Sequence, residues 1–344
     1  MNNISNSLTS KSDRINLVKS IASLMVVILH VIENGDGAVQ LCFYLLGSFG
    51  IPLFFMLNGY LLYSRDITFD YIKKKVIRIL RFVILWGISV GVIESIINHD
   101  ALYFLKVCIG AFIGKSDLFH LWFLSALVII YVFSLIINIL LKNKGYSIQK
   151  IITKPVISGL ILLLFIIFFV DIILTINGLP EIREIVPAPL RLCTNGSYFF
   201  IGMYIKKNEK LNVGIWGKID ILVFVICWLC VCMLAIKLHI VWASSYYDFI
   251  PVVFGSVILM KNMVNCSIHN DMFWNIAKRI APTTTGIWIL HPFIYKIANK
   301  CLIYFGLKQN IGIRIIEVVF IYGICSIITV VLLKNRILRK YVSM

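Results

Sequence analysis

Ten stretches of this chain stay apolar over close to the ~20 residues that carry an α-helix across the ~30 Å hydrocarbon core of a bilayer. They run approximately over 17–36, 42–63, 77–97, 119–141, 155–176, 188–205, 215–236, 242–260, 281–299 and 311–333. Backbone groups in lipid must bond within the chain, so helices are the only spanning form open to runs of this length. Composition agrees: 60% of residues are hydrophobic, 14% are charged and the mean hydropathy is +0.93. A soluble domain is nearer half apolar and a quarter charged. The expected fold is all-α, a polytopic transmembrane bundle of about ten spans in a single membrane-embedded domain over 1–344. No soluble domain and no internal repeat stands out. The apolar stretch 101–113 is too short to span and reads as interfacial or re-entrant. Residues 1–16 are polar and no small-residue cleavage site follows the first apolar run, so no cleavable signal is expected.

The net charge of +17 would suggest nucleic acid on a soluble protein. Here the basic residues cluster between alternate apolar runs. With the N-terminus placed in the cytoplasm, 24 of the 33 lysines and arginines fall on cytoplasmic segments. The other nine, Arg183, Arg191 and Arg314 among them, lie outside or in outer helix halves. That bias predicts cytoplasmic termini and an even number of spans. The charge therefore sets topology, and no nucleic-acid partner is expected. The nine cysteines lie mostly in apolar stretches, where free cysteine packs as a small hydrophobe. Cys227, Cys230 and Cys232 are spaced like metal ligands, but no histidine or further pair nearby completes a set, so no metal is expected.

An ionisable side chain inside a span costs a few kcal/mol and marks a functional position. His30 is the clearest. Lys19 precedes it by eleven residues, three turns plus about 20°, which puts both side chains on one helix face ~16 Å apart along the axis. Glu33, three residues further, is within reach of His30. The competing reading of His30 is a histidine bonded into the bundle core. Asn58-Gly59 permits close helix contact and an interhelical hydrogen bond. Arg78 and Arg81 share a face where the third run enters the membrane and suit a phosphate or pyrophosphate. Lys73, Lys74 and Lys75 beside them read as topology anchors. His120 and Trp122 open the fourth run, where interfacial packing and acceptor binding both suit their types. His291 is again intramembrane, followed by Pro292, which weakens the helix ladder. Arg191 is a further buried-cation candidate.

Taken together and in order, these motifs resemble the acyltransferase 3 family of bacterial integral membrane acyltransferases, over roughly residues 14–295. The family's basic residue, ten intervening positions and histidine correspond to Lys19 and His30, with lysine here instead of the usual arginine. Its Phe-Phe-x-x-Ser-Gly-Tyr-Leu pattern corresponds to Phe54 through Leu61, with Asn58 in place of serine. The basic start of the third helix matches Lys74 to Arg81. His120-Leu121-Trp122-Phe123-Leu124 and Gly286-Ile287-Trp288-Ile289-Leu290-His291 match two further patterns.

The resemblance implies an O-acyltransferase of the bacterial inner membrane. It would move an acetyl group (succinyl is the other option) from cytoplasmic acetyl-CoA to a hydroxyl of a surface glycan such as O-antigen or exopolysaccharide. No permanently bound cofactor is expected. Lys19, Arg78 and Arg81 are expected near the donor phosphates. His30 is expected as general base or transient acyl carrier, oriented by Glu33. Asn58, His120, Trp122, Arg191 and His291 are expected toward the acceptor. A transporter or flippase is the main alternative, since it too uses intramembrane ions and broken helices. A membrane sensory module ranks below both.

Overall fold

The computed structural model describes residues 11–32, 37–209, 218–240, 242–266, 271–306 and 310–343. They form fifteen helices joined by short 3₁₀ turns, and no strand occurs among them. In chain order the helices are α1 (Lys11–Val31), α2 (Ala38–Leu46), α3 (Gly50–Tyr63), α4 (Phe69–Asn98), α5 (Ala101–Ile113), α6 (Trp122–Lys142), α7 (Ile148–Ile151) and α8 (Lys154–Ile176). They continue with α9 (Ile182–Ile185), α10 (Leu192–Lys207), α11 (Lys218–Leu238), α12 (Ile250–Val264), α13 (Asp271–Ile280), α14 (Thr284–Tyr304) and α15 (Ile311–Lys334).

Among the described residues, seven segments are long and apolar enough to cross a membrane: Lys11–Val31, Ala38–Tyr63, Phe69–Asn98, Phe119–Lys142, Lys154–Ile176, Ile219–Leu238 and Ile311–Lys334. The other three expected spans differ in their detail. The run 188–205 opens in a 3₁₀ turn and becomes α-helical only at Leu192, leaving 16 helical residues. The run 242–260 opens with a 3₁₀ turn, Ala243–Tyr246, and its helix of 15 residues starts at Ile250. In both, a proline stands in the first turn of a helical segment, Pro189 in the 3₁₀ turn and Pro251 in α12, where its missing amide costs nothing and its ring keeps the helix from extending further back. The run 281–299 is carried by α14, which has 21 residues with Pro292 inside it. The stretch 101–113 is the short apolar helix α5.

Helix ends follow local chemistry. Thr68 accepts from the Tyr71 amide at 3.3 Å to start α4, and Asp100 accepts from Leu102 at 2.8 Å to start α5. Asn310 accepts from Ile313 at 3.0 Å to start α15. Each satisfies an amide that the first turn leaves bare.

The bundle is ordered by which helices expose apolar surface. On α15, Ile316, Val319, Phe320, Ile327 and Val331 are exposed at helical spacing, and α4 and α8 show similar stripes. Such broad apolar faces suit lipid, not water. By contrast α3 is buried nearly all round, through Leu53, Phe55, Met56, Leu57, Tyr60 and Leu62. A helix without a polar face belongs at the centre. There α1 packs against α2, α3 and α12 to α15, so it too is central. The tightest crossing joins α3 to α10. A methyl group on Gly59 would fall inside the Phe199 carbonyl, and one on Gly202 inside the Met56 carbonyl.

Candidate active site

Two of the sequence-selected histidines meet a third at the heart of the bundle. His30 stands in the last turn of α1, because the helix begins at Lys11 and ends at Val31, earlier at both ends than the apolar run suggested. Its ring lies 5.2 Å from that of His291 on α14 and 5.4 Å from Phe119. The His120 ring is 6.1 Å from His291 and 5.3 Å from Trp288. The three histidines differ in access. His291 is 0% exposed and His120 is 2% exposed, whereas His30 is only partly buried. His291 Nδ1 lies 3.1 Å from the Ile287 carbonyl, which can only accept, so Nδ1 carries the proton and Nε2 is left bare. Of the three, only His30 retains open surface to meet a reactant.

His120 has no hydrogen-bond partner at either ring nitrogen among the described residues. A buried polar atom left unpaired costs about 1–3 kcal/mol. His120→Phe keeps a ring in place and removes both unpaired nitrogens. We expect its thermal unfolding temperature to rise, by the equivalent of about 1 kcal/mol or more, while its turnover falls. A lower unfolding temperature would mean that water already satisfies the ring.

Below this cluster lies a cavity of about 360 Å³. Lys19, Asn58, Lys75, Arg78, Tyr131 and Trp288 line it, with Phe54 and Phe123. Lys75 donates to the Tyr131 hydroxyl at 3.1 Å and lies over that ring at 4.9 Å. Tyr131 in turn donates to Asn58 Oδ1 at 2.9 Å, and Asn58 Nδ2 donates to the Phe54 carbonyl at 2.8 Å. The interhelical bond expected of Asn58 is thus made to α6, while its neighbour Gly59 makes the close contact to α10. Lys19 and Arg78 make no ion pair or hydrogen bond among the described residues. Among the described residues no acidic side chain lines the cavity. Three cations facing one space without a counter-charge suit an anionic ligand. Its far wall is Trp288, which stacks edge-on to His120, so the cavity ends one ring away from the histidine cluster.

A second cavity, about 280 Å³, lies on the other side of the start of α6. Trp122 and Arg191 line it, with Asp171, Arg183, Thr194, Asn195, Tyr247 and Asp248. Arg191 donates to the Val186 and Arg183 carbonyls at 3.0 and 2.6 Å, and Arg183 pairs with Glu181 at 2.6 Å. Asp171 accepts from the Ile182 amide at 2.7 Å. Asp248 sits two residues ahead of α12, inside the apolar run 242–260.

Not every expected residue joins these sites. Arg81 is exposed and lies outside the first cavity, although it shares a helix face with Arg78. Glu33 lies outside the described residues. Lys73 and Lys74 are exposed, as anchors would be, but Lys75 turns into the cavity. Sequence reasoning grouped all three lysines and missed this one, together with Tyr131, Asp171 and Asp248. For the two aspartates a signal existed: each interrupts an apolar run, the criterion that selected His30. Among the described residues no group of three or more His, Cys, Asp or Glu side chains is arranged to hold a metal ion.

One comparison with known proteins is positive. A family model described as an acyltransferase domain matches residues 12–334. No curated protein and no solved structure matches the chain. The matched region contains α1 from its second residue through the last residue of α15, and with them the second cavity, the first cavity except Ser343, and all three histidines. The chain therefore belongs to the acyltransferase 3 family and is a multi-pass membrane acyltransferase.

Proposed function

We propose that this enzyme transfers an acetyl group from cytoplasmic acetyl-CoA to a hydroxyl of a bacterial surface polysaccharide or its lipid-linked precursor, from a seat in the inner membrane with about ten spans and both termini in the cytoplasm. The cavity with three cations and no acid, ending against the histidine cluster, carries this reading. The donor is a polyanion with a long neutral arm. Its phosphates would meet Lys19, Lys75 and Arg78, and the arm would run toward Trp288 and the histidines. The ~16 Å between Lys19 and His30 along α1 is a distance that such an arm bridges.

The chemistry then needs one base. His30 takes the proton of the acceptor hydroxyl as its oxygen attacks the thioester carbonyl. The C–S bond breaks, and the departing thiolate takes the proton back from the imidazolium. The products are the ester and free CoA, and His30 is regenerated. The end of α1 lies beside the positive charge that develops on the ring, where the helix dipole is negative.

Purified protein in a lipid bilayer mimetic tests this. Acceptor-dependent release of free CoA, with acetyl appearing on the glycan, is the expected result. Movement of glycan without consumption of acetyl-CoA would make the protein a flippase instead. Lys75→Met sharpens the test. One lost charge-assisted contact is worth roughly tenfold in affinity. We expect KM for acetyl-CoA to rise about tenfold at nearly unchanged kcat, the pattern of a contact made equally in ground and transition states. An unchanged KM would remove Lys75 from the donor site.

A further inference from the structure

We infer that the second cavity, between Asp248, Arg191 and Trp122, is a binding site for a neutral sugar ring and holds the acceptor beside the histidine cluster. This rests on the acetyl-transfer reading for the ring's fate, but not for its binding.

The charges separate the two cavities. The first presents three cations and no acid. The second presents Arg183 and Arg191 against Asp171 and Asp248, so its lining is balanced. A balanced lining does not favour a polyanion such as CoA or a pyrophosphate. It offers both donors and acceptors at short range, which is what a ring of hydroxyls needs, since each hydroxyl gives one hydrogen bond and accepts others.

One oxygen in this lining is left over. Asp248 is 8% exposed, and its Oδ1 has no hydrogen-bond partner among the described residues. Asp171 already accepts from a backbone amide, and Arg191 is fixed by two carbonyls. The wall is therefore rigid apart from one unsatisfied acceptor, and a buried acceptor without a donor is costly unless a ligand supplies one. A sugar hydroxyl is such a donor. Tyr247 and Trp122 add aromatic surface for the apolar face of a ring. The volume of about 280 Å³ falls at the lower end of small-molecule sites, which suits one ring and not an oligosaccharide.

Position ties the cavity to the chemistry. Trp122, the first residue of α6, lines the second cavity, while Phe123, Leu124, Leu127 and Tyr131 of the same helix line the first. His120 stands two residues ahead of this shared wall. A ring in the second cavity and a thioester arm in the first would approach the histidines from opposite sides of one helix end.

The experiment uses purified full-length protein and a panel of methyl glycosides of neutral hexoses and deoxyhexoses, with inorganic pyrophosphate and CoA as anionic probes. Binding is read by saturation-transfer NMR. At least one glycoside should bind, pyrophosphate should not displace it, and Asp248→Asn should weaken it about tenfold, the worth of one hydrogen bond to a charged group. CoA binding by the same variant should be unchanged, which also certifies its fold. Should Asp248→Asn fail to fold, Trp122→Leu, which removes aromatic surface from the second cavity, is read in the same way. Absence of binding by every glycoside, displacement by pyrophosphate, or equal binding by the folded variant would overturn the inference. The acetyl-transfer reading fails on a different result, the absence of acetyl-CoA turnover, and glycoside binding could stand without it.

Discussion

Replacing His30 by alanine is expected to lower acyl transfer by about 10²–10⁴-fold, the usual contribution of a positioned general base. The loss should fall on kcat. His30 is not among the residues that line the cationic cavity, so KM for acetyl-CoA should stay close to the parent value. Stability should fall less than for His291→Ala, because His30 is the less buried residue of the two and alanine suits a helix. His291→Ala differs on both counts. That ring is fully buried and its Nδ1 is bonded to the Ile287 carbonyl, so its removal opens a hole and frees the neighbouring ring. It should lower stability as well as rate, as a positioning residue does. The control is His99→Asn. His99 is exposed at the end of α4 with φ 51°, a left-handed conformation that asparagine tolerates. Full activity in a well-expressed His30→Ala protein would move the base elsewhere in the cluster. Rate–pH profiles of the His120 and His291 variants would then show which ring had taken its place.

The long helices were legible because lipid allows so few alternatives. An apolar run of ~20 residues has one way to satisfy its backbone, and the runs at 119–141, 155–176 and 311–333 match Phe119–Lys142, Lys154–Ile176 and Ile311–Lys334 closely. The runs that were read less well contain prolines near their starts, and there the apolar count and the helix part company. α-Helix begins only at Leu192, past Pro189, and at Ile250, where Pro251 occupies the first turn. Residues on one helix could also be paired from spacing alone. Lys19 and His30 share α1, so their offset was fixed before any packing was known. Lys75 could not be told from Lys73 and Lys74 in the same way. Its role depends on Tyr131, a residue 56 positions away on another helix. The meeting of His30 with His120 and His291 is likewise tertiary. Each stood out singly as a polar residue in an apolar run, but no spacing rule connects three separate helical segments.

The second large effect belongs to the crossing that holds both cavities in register. Met56 and Gly59 on α3 oppose Gly202 and Phe199 on α10, so the helices run antiparallel with backbone against backbone at two points, one turn apart. Close contact through small residues is the main way in which helices associate where water cannot drive them together. Gly59→Ala or Gly202→Ala places a methyl group inside a facing carbonyl. Backbone cannot rotate aside as a side chain can, so the helices must separate, and overpacking of this kind costs about 1–3 kcal/mol or more. Once one substitution has pushed the helices apart, the second meets open space. The double variant should therefore cost clearly less than the sum of the two single ones. Gly159→Ala on α8 is the control: nothing lies within 4 Å of the added methyl group, so it should be neutral or slightly stabilising. Thermal unfolding in detergent reads all four proteins. The functional consequence should be as large as the structural one. Asn58 adjoins Gly59 and anchors Tyr131 and Lys75 in the cationic cavity, while Thr194 and Asn195, at the start of α10, line the balanced one. Separating α3 from α10 shifts one cavity relative to the other. Misplacing a reactant by about 1 Å can cost 10²-fold in rate, so even the variant that still folds should be nearly inactive. Single variants that lose stability but keep full turnover would show that the two cavities do not act together.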